Sequence, residues 1–165
     1  MVESGFINTI REIWWDVRPH HNFGTVEVRV CDMPGNLEDV LAITALVQSL
    51  VKTLSDMIDN GAYQHDCHPM MVRQNKWRAA RFGTHAKLVN SFTYEVESLG
   101  LVVNALVEKL SPTAEQLGCL NHLERARAMA TAPSWADKQL AILDKTGDPR
   151  EVVRQLISQS RMSAS

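Results

Sequence analysis

The stretch "FGTVEVRV", residues 23 to 30, alternates Val26, Val28 and Val30 with Thr25, Glu27 and Arg29. A strand period of two puts the valines on one face and leaves a carboxylate and a guanidinium together on the other. The preceding "WWDVRP" places Asp16 and Arg18 on one face, with Trp15 and Val17 opposite. If the two segments pair, two acids and two arginines share one sheet face. As a solvated surface pair, Glu27 and Arg29 would contribute only about 0–1 kcal/mol. Burying four such charges without a ligand would instead cost several kcal/mol per ion. The chemistry that suits them is a metal–phosphate site, since carboxylate oxygens take Mg²⁺ and guanidinium forks take phosphate or carboxylate oxygens.

A second set of cations lies in "RQNKWRAAR". At about 100° per residue, Arg73, Lys76, Trp77 and Arg81 fall on one broad helical face. That face is either a solvated basic surface over a buried Trp77 or a cationic seat for a polyanion. A nucleic-acid reading needs more than one short patch on a chain of formal net charge −2. "HDCH" at 65–68 is a single cluster without the second half that a zinc site requires, and is read as loop. His20 and His21 sit in the turn beside the acidic face, within reach of a ligand there. No Ser/His/Asp arrangement, Gly-rich phosphate loop or dinucleotide fingerprint is present.

The elements that must hold these residues follow from periodicity and punctuation. Residues 2–12 fit a short helix with Phe6, Ile7 and Ile10 on one face. "WWDVRP" is extended because Pro19 drives Arg18 out of the helical region. "HHNFG" is a turn and "TVEVRV" the return strand, giving a hairpin. Asn36 caps a helix that Gly61 ends, with Glu38 and Asp39 favouring its dipole. Its stripe of Val40, Leu41, Leu46, Val47, Leu50, Val51 and Leu54 suits either a core or a dimer interface. Pro69 opens a helix that Gly83 closes. Further helices are expected over 92–110, 112–118, 120–131, 134–145 and 149–160, broken at Ser111-Pro112, Pro133 and Gly147-Asp148-Pro149. The tail "SRMSAS" is expected to fray.

Length and composition, 165 residues with 45% hydrophobic and 22% charged, describe one ordinary globular domain over 1–165. Three scattered cysteines match a reduced compartment rather than a disulfide framework. The N-terminus lacks a signal-peptide pattern, and the apolar run "LAITALVQSLV" is too short and too polar to span a bilayer. The expectation is a cytoplasmic α+β protein with no membrane and no nucleic-acid partner. A two-stranded ribbon with three valines and two tryptophans is marginal alone. It needs helices to cover it or strands from elsewhere.

"WWDVRP", "FGTVEVRVCDMP" and "RQNKWRAARFG", in this order and spacing, resemble the glutamate–cysteine ligase type 2 family of carboxylate–amine ligases. The resemblance covers nearly the whole chain and corresponds to the C-terminal half of family members, which run to roughly twice this length. It implies part of a glutamine synthetase-like catalytic domain, here a short antiparallel hairpin plus about six helices. It also implies ATP and Mg²⁺ as cofactors, with glutamate and cysteine, or another amine, as substrates. The implied reaction phosphorylates glutamate's γ-carboxylate and lets the amine attack the acyl phosphate.

On that resemblance Glu27 is a metal ligand, and Arg29 and Arg18 contact phosphate or substrate. Asp16 positions Arg18, and His21 lies near the substrate. Arg81, Arg73 and Lys76 flank the nucleotide. The first sheet strand with its paired glutamates, and a histidine-bearing strand, have no counterpart here, so a missing N-terminal half or a partner chain is implied, and a homo-oligomer is expected. Two rival readings stand beside this one. One is a non-catalytic helical module pairing through its exposed ribbon edge; the other is a nucleic-acid binder using the basic helix.

Overall fold

Pro19 and the glycine of "HHNFG" do what the sequence suggests: Val17–His20 (β1) and Thr25–Val28 (β2) form an antiparallel hairpin. The computed structural model describes residues 1–20, 22–62 and 67–161. These fall into two compact units, Met1–Met33 and Pro34 onward.

In the first unit the register pairs Val17 with Val28, Arg18 with Glu27, Pro19 with Val26 and His20 with Thr25. The Arg29 amide donates to the Asp16 carbonyl at 2.7 Å, extending the ladder by one step. Gly24 takes the turn at φ +60, a conformation that costs glycine little. The helix expected over 2–12 does not form. Gly5 enters positive φ, and Thr9 is extended (φ −142, ψ 155), so only Ile10–Glu12 completes a 3-10 turn. Thr9 and Glu12 cap that turn reciprocally: the Thr9 hydroxyl accepts from the Arg11 amide, and the Glu12 carboxylate accepts from the Thr9 amide. Val17, Val26 and Val30 remain exposed, and no third strand joins the hairpin among the described residues.

The second unit is built on three helices, Leu37–Asp59 (α1), Leu99–Gln116 (α3) and Leu120–Thr131 (α4). Ala45 of α1, Val107, Leu110 and Ala114 of α3, and Leu123 and Ala126 of α4 form the core. Small residues at Ala42, Ala45 and Ser49 let α1 approach closely, and all three are buried. Asn36 caps α1 as expected, its side chain accepting from the Asp39 amide at 2.8 Å. At 23 residues α1 is, by length and composition, long and apolar enough to cross a membrane. The whole helix is thus longer than the apolar run "LAITALVQSLV", which alone is too short to span a bilayer. What α1 does here is pack its small-residue side into the core.

Pro69–Phe82 (α2) starts and stops as the sequence indicates, with Gly83 at φ +53 as its C-cap. A second hairpin follows, Lys87–Val89 (β3) with Val96–Ser98 (β4), where the start of a helix was expected. Asn90 decides this locally. Its carboxamide oxygen accepts from the Phe92 and Thr93 amides, and Tyr94 turns the chain at φ +62. The hairpin is held to α2 by Asn75, which donates to the Val89 carbonyl and accepts from the Val89 amide at 2.8 and 2.9 Å.

Two further differences concern α3. It begins at Leu99, capped by Ser98, and it runs through Pro112 to Gln116 instead of breaking there. Pro112 faces solvent, so the Glu108 carbonyl that loses its donor can be hydrated. Helices Trp135–Thr146 (α5) and Pro149–Ser160 (α6) lie where the breaks place them, capped by Ser134 and Asp148. The described residues thus hold six helices and two small antiparallel hairpins.

Candidate functional site

Strand alternation and hairpin register together make the charged face. Arg18 and Glu27 are directly cross-strand. Arg18 Nε and Nη2 donate to Glu27 Oε2 at 2.9 and 2.5 Å, and Nη1 donates to the Arg11 carbonyl at 3.0 Å. Arg29 Nη1 reaches the other oxygen, Glu27 Oε1, at 3.3 Å. The Arg18 side chain is 11% exposed and that of Glu27 is 41% exposed, so the arginine is fixed while the carboxylate keeps an open side. The hydrogen bonds from Arg18 hold the Glu27 carboxyl below its ordinary range. They prevail over partial desolvation and are reinforced by the positive charges of Arg18 and Arg29.

Trp14 belongs to this face too, its ring centroid 5.5 Å from the Arg29 guanidinium carbon. Continuing the period-two pattern upstream from Arg18 and Asp16 would have found it. The anchoring Arg11 carbonyl carries no sequence signal, because it depends on the 3-10 turn.

Four of the expected site residues, Asp16, Arg18, Glu27 and Arg29, therefore come together on the hairpin and its one-residue extension. Arg73, Lys76 and Arg81 belong to the other unit, on α2, where all three are exposed. Trp77 is 55% exposed rather than buried, set edge-on to Phe82 at 5.9 Å between centroids. Arg81 lies over the same Phe82 ring at 5.7 Å. Asn75 and Arg78, which were given no role, bind β3 backbone and fix which side of α2 faces outward.

His20 stacks on Phe23 at 4.6 Å. His21, His65 and Asp66 lie outside the described residues. The remainder of "HDCH" has local partners: His68 Nδ1 accepts from the Met70 amide as the α2 N-cap, and Cys67 Sγ accepts from the Ser91 hydroxyl.

The described residues include no group of three or more His, Cys, Asp or Glu side chains able to hold a metal. Mg²⁺ requires near-octahedral oxygen coordination. Glu27 offers one carboxylate, with Oε2 already taken by Arg18. These residues do not by themselves make a magnesium site. For an anion the fit is better, since the Arg29 guanidinium keeps N–H donors beyond the one bonded to Glu27.

Comparison with known proteins places the chain in a family. The family model described as glutamate-cysteine ligase family 2 matches residues 1–155. A Gloeobacter violaceus protein named "Putative glutamate--cysteine ligase 2" is 36% identical over 156 residues, covering 94% of this chain and 42% of the relative. A Frankia casuarinae protein, "Putative glutamate--cysteine ligase 2-1", is 39% identical over 160 residues, covering 96% and 42%. One from Sorangium cellulosum, again "Putative glutamate--cysteine ligase 2", is 36% identical over 162 residues, covering 98% and 43%. The chain spans about two fifths of the length of the curated relatives it matches. Matched over nearly all its length by that family model, the chain belongs to glutamate-cysteine ligase family 2.

Proposed function

We propose that this chain is the C-terminal part of an ATP-dependent carboxylate–amine ligase. The reaction joins the γ-carboxylate of glutamate to the amine of cysteine, or of another acceptor, through an acyl phosphate. The observation that carries this reading is the Arg18–Glu27–Arg29 constellation in a chain of this family. Arg29, with its guanidinium over Trp14, is the contact for a phosphate or carboxylate oxygen. Arg18 uses three of its five N–H donors on Glu27 and the Arg11 carbonyl, and is proposed to contact phosphate or substrate through those that remain. Asp16 is proposed to position Arg18, and His21 to lie near the substrate.

Arg73, Lys76 and Arg81 are proposed to contact the nucleotide's phosphates. Glu27 is proposed as one of several carboxylates around Mg²⁺, the others lying outside these 165 residues. A homo-oligomer and a cytoplasmic setting complete the proposal, and neither a nucleic acid nor a membrane is a partner in it.

The test is ADP release from Mg·ATP, with glutamate and cysteine present or omitted. It is made on the 165-residue chain alone and on the chain extended with the remaining sequence of a relative such as the Frankia casuarinae protein. Glutamate- and amine-dependent release that Glu27→Gln abolishes, in a variant confirmed folded, supports the reading. Near-normal turnover in that variant removes the role given to Glu27. The second reading, a non-catalytic interaction module, draws on the exposed Trp14, Phe23 and Val26 of the first unit. Mg·ATP binding by the chain would count against it.

A further inference from the structure

Within the second unit, α1, α4, α5 and the 3-10 turn Gly83–His85 border a cleft of about 240 Å³ that has no part in the ligase reading. Asp39 lines it and is 4% exposed. Both its oxygens are engaged: Oδ1 accepts from Arg125 Nε at 2.7 Å and Oδ2 from the Trp135 indole Nε1 at 2.9 Å. This staple ties α1 to α4 and α5 and neutralises the buried carboxylate.

Other groups around the cleft take no part in the staple. The two terminal nitrogens of Arg125 have no hydrogen-bond partner among the described residues, and its side chain is 41% exposed. Lys138 stands with Nζ 4.3 Å from the Trp135 ring centroid and has no carboxylate partner among the described residues. The Thr84 hydroxyl is buried with no hydrogen bond.

The cleft therefore offers up to four guanidinium N–H donors, an ammonium and a hydroxyl, while each oxygen of Asp39 already accepts a hydrogen bond. A complementary ligand is rich in acceptors and negatively charged. The Trp135 ring and Met129 supply apolar wall. The volume lies just below the roughly 300 Å³ at which sites for drug-sized molecules begin, which suits a small ligand.

We propose that the cleft lined by Asp39, Arg125, Trp135 and Lys138 binds a small organic anion, a carboxylate or phosphate group on a short apolar body, with Arg125 and Lys138 as its charge partners. The site stands independently of the ligase reading and would exist in a chain with no ATP chemistry.

The experiment is a ¹H–¹⁵N NMR titration of the full 165-residue chain with benzoate, inorganic phosphate and neutral benzamide. The Trp135 indole N–H, assigned by Trp135→Phe, is the reporter. A saturable shift with benzoate or phosphate and none with benzamide is expected. Response to benzoate alone identifies the carboxylate form, and response to phosphate alone the phosphate form. Lys138→Gln leaves both hydrogen bonds of the staple in place, removing only the ammonium beside the Trp135 ring, and should weaken binding about tenfold or more, the usual loss for one charge-assisted hydrogen bond. Thr84→Val, which keeps volume and removes the unpaired hydroxyl, should weaken it several-fold. Equal affinity in both variants, shifts that never saturate, or an equal response to benzamide would overturn the proposal.

Discussion

Gly35→Ala tests the packing beneath the Asp39 staple. A β-carbon at Gly35 would stand 2.6 Å from Cε3 and Cη2 of Trp135 and closer still to Cζ3. Ordinary contact begins near 3.4 Å, so the ring must retreat by roughly an ångström. It cannot pivot freely, because its Nε1–H is bonded to the buried Asp39 carboxylate at 2.9 Å. Overpacking of this kind costs about 1–3 kcal/mol, and loosening a hydrogen bond to a charged group adds part of about 1.5–3 kcal/mol.

Together these predict a destabilisation of about 2 kcal/mol, or a Tm lowered by about 4–8 °C for a chain of this size. Urea unfolding followed by far-UV circular dichroism measures it, with the Trp135 indole resonance reporting whether its hydrogen bond survives. The strongest check is the sign change in a Trp135→Leu background. There the clash is gone, and Gly35→Ala should be neutral or stabilising by about 0.4–1 kcal/mol through the unfolded chain. The reasoning fails if Gly35→Ala alone stays within about 0.5 kcal/mol of the parent, or costs the same in both backgrounds.

Glu27 should titrate below 4.5 in the folded hairpin because Arg18 hydrogen-bonds its charged form, and Arg18→Gln should move its side-chain ¹³C midpoint upward. A carboxyl whose folded pKa is depressed contributes stability above its unfolded value near 4.5, and that contribution is lost as pH falls through the folded pKa. An unchanged midpoint in Arg18→Gln would contradict the assigned cause. Asn75→Ala removes both bonds to Val89 and should cost about 1–3 kcal/mol, with the Val89 amide losing most of its protection in hydrogen exchange. Pro112→Ala should raise stability by about 1–3 kcal/mol, since an exposed mid-helix site regains a backbone donor; a loss on equilibrium unfolding would show that the proline serves α3.

What the sequence determined by itself was local. The cap at Asn36, the stop at Gly83 and the breaks at Pro133 and Gly147-Asp148-Pro149 were legible because one or two residues satisfy or interrupt a helix end. The hairpin and its charged face were legible because alternation and a proline set both period and turn. The errors at 2–12, 92–98 and Pro112 arose where apolar periodicity competed with a turn side chain or with exposure, as at Thr9, Asn90 and Pro112 itself.

Only the tertiary structure decided the rest. Arg18 is tied to the Arg11 carbonyl as well as to Glu27 because the 3-10 turn brings that carbonyl within reach of its third nitrogen. Trp77 proved to face outward because Asn75 and Arg78 claim the other side of α2 for β3. Asp39, read as a residue of the helix dipole, became a buried staple through Arg125 and Trp135, 86 and 96 positions away. Such pairings have no local signature, since they depend on which helix ends the core brings together, and packing rather than periodicity chooses that.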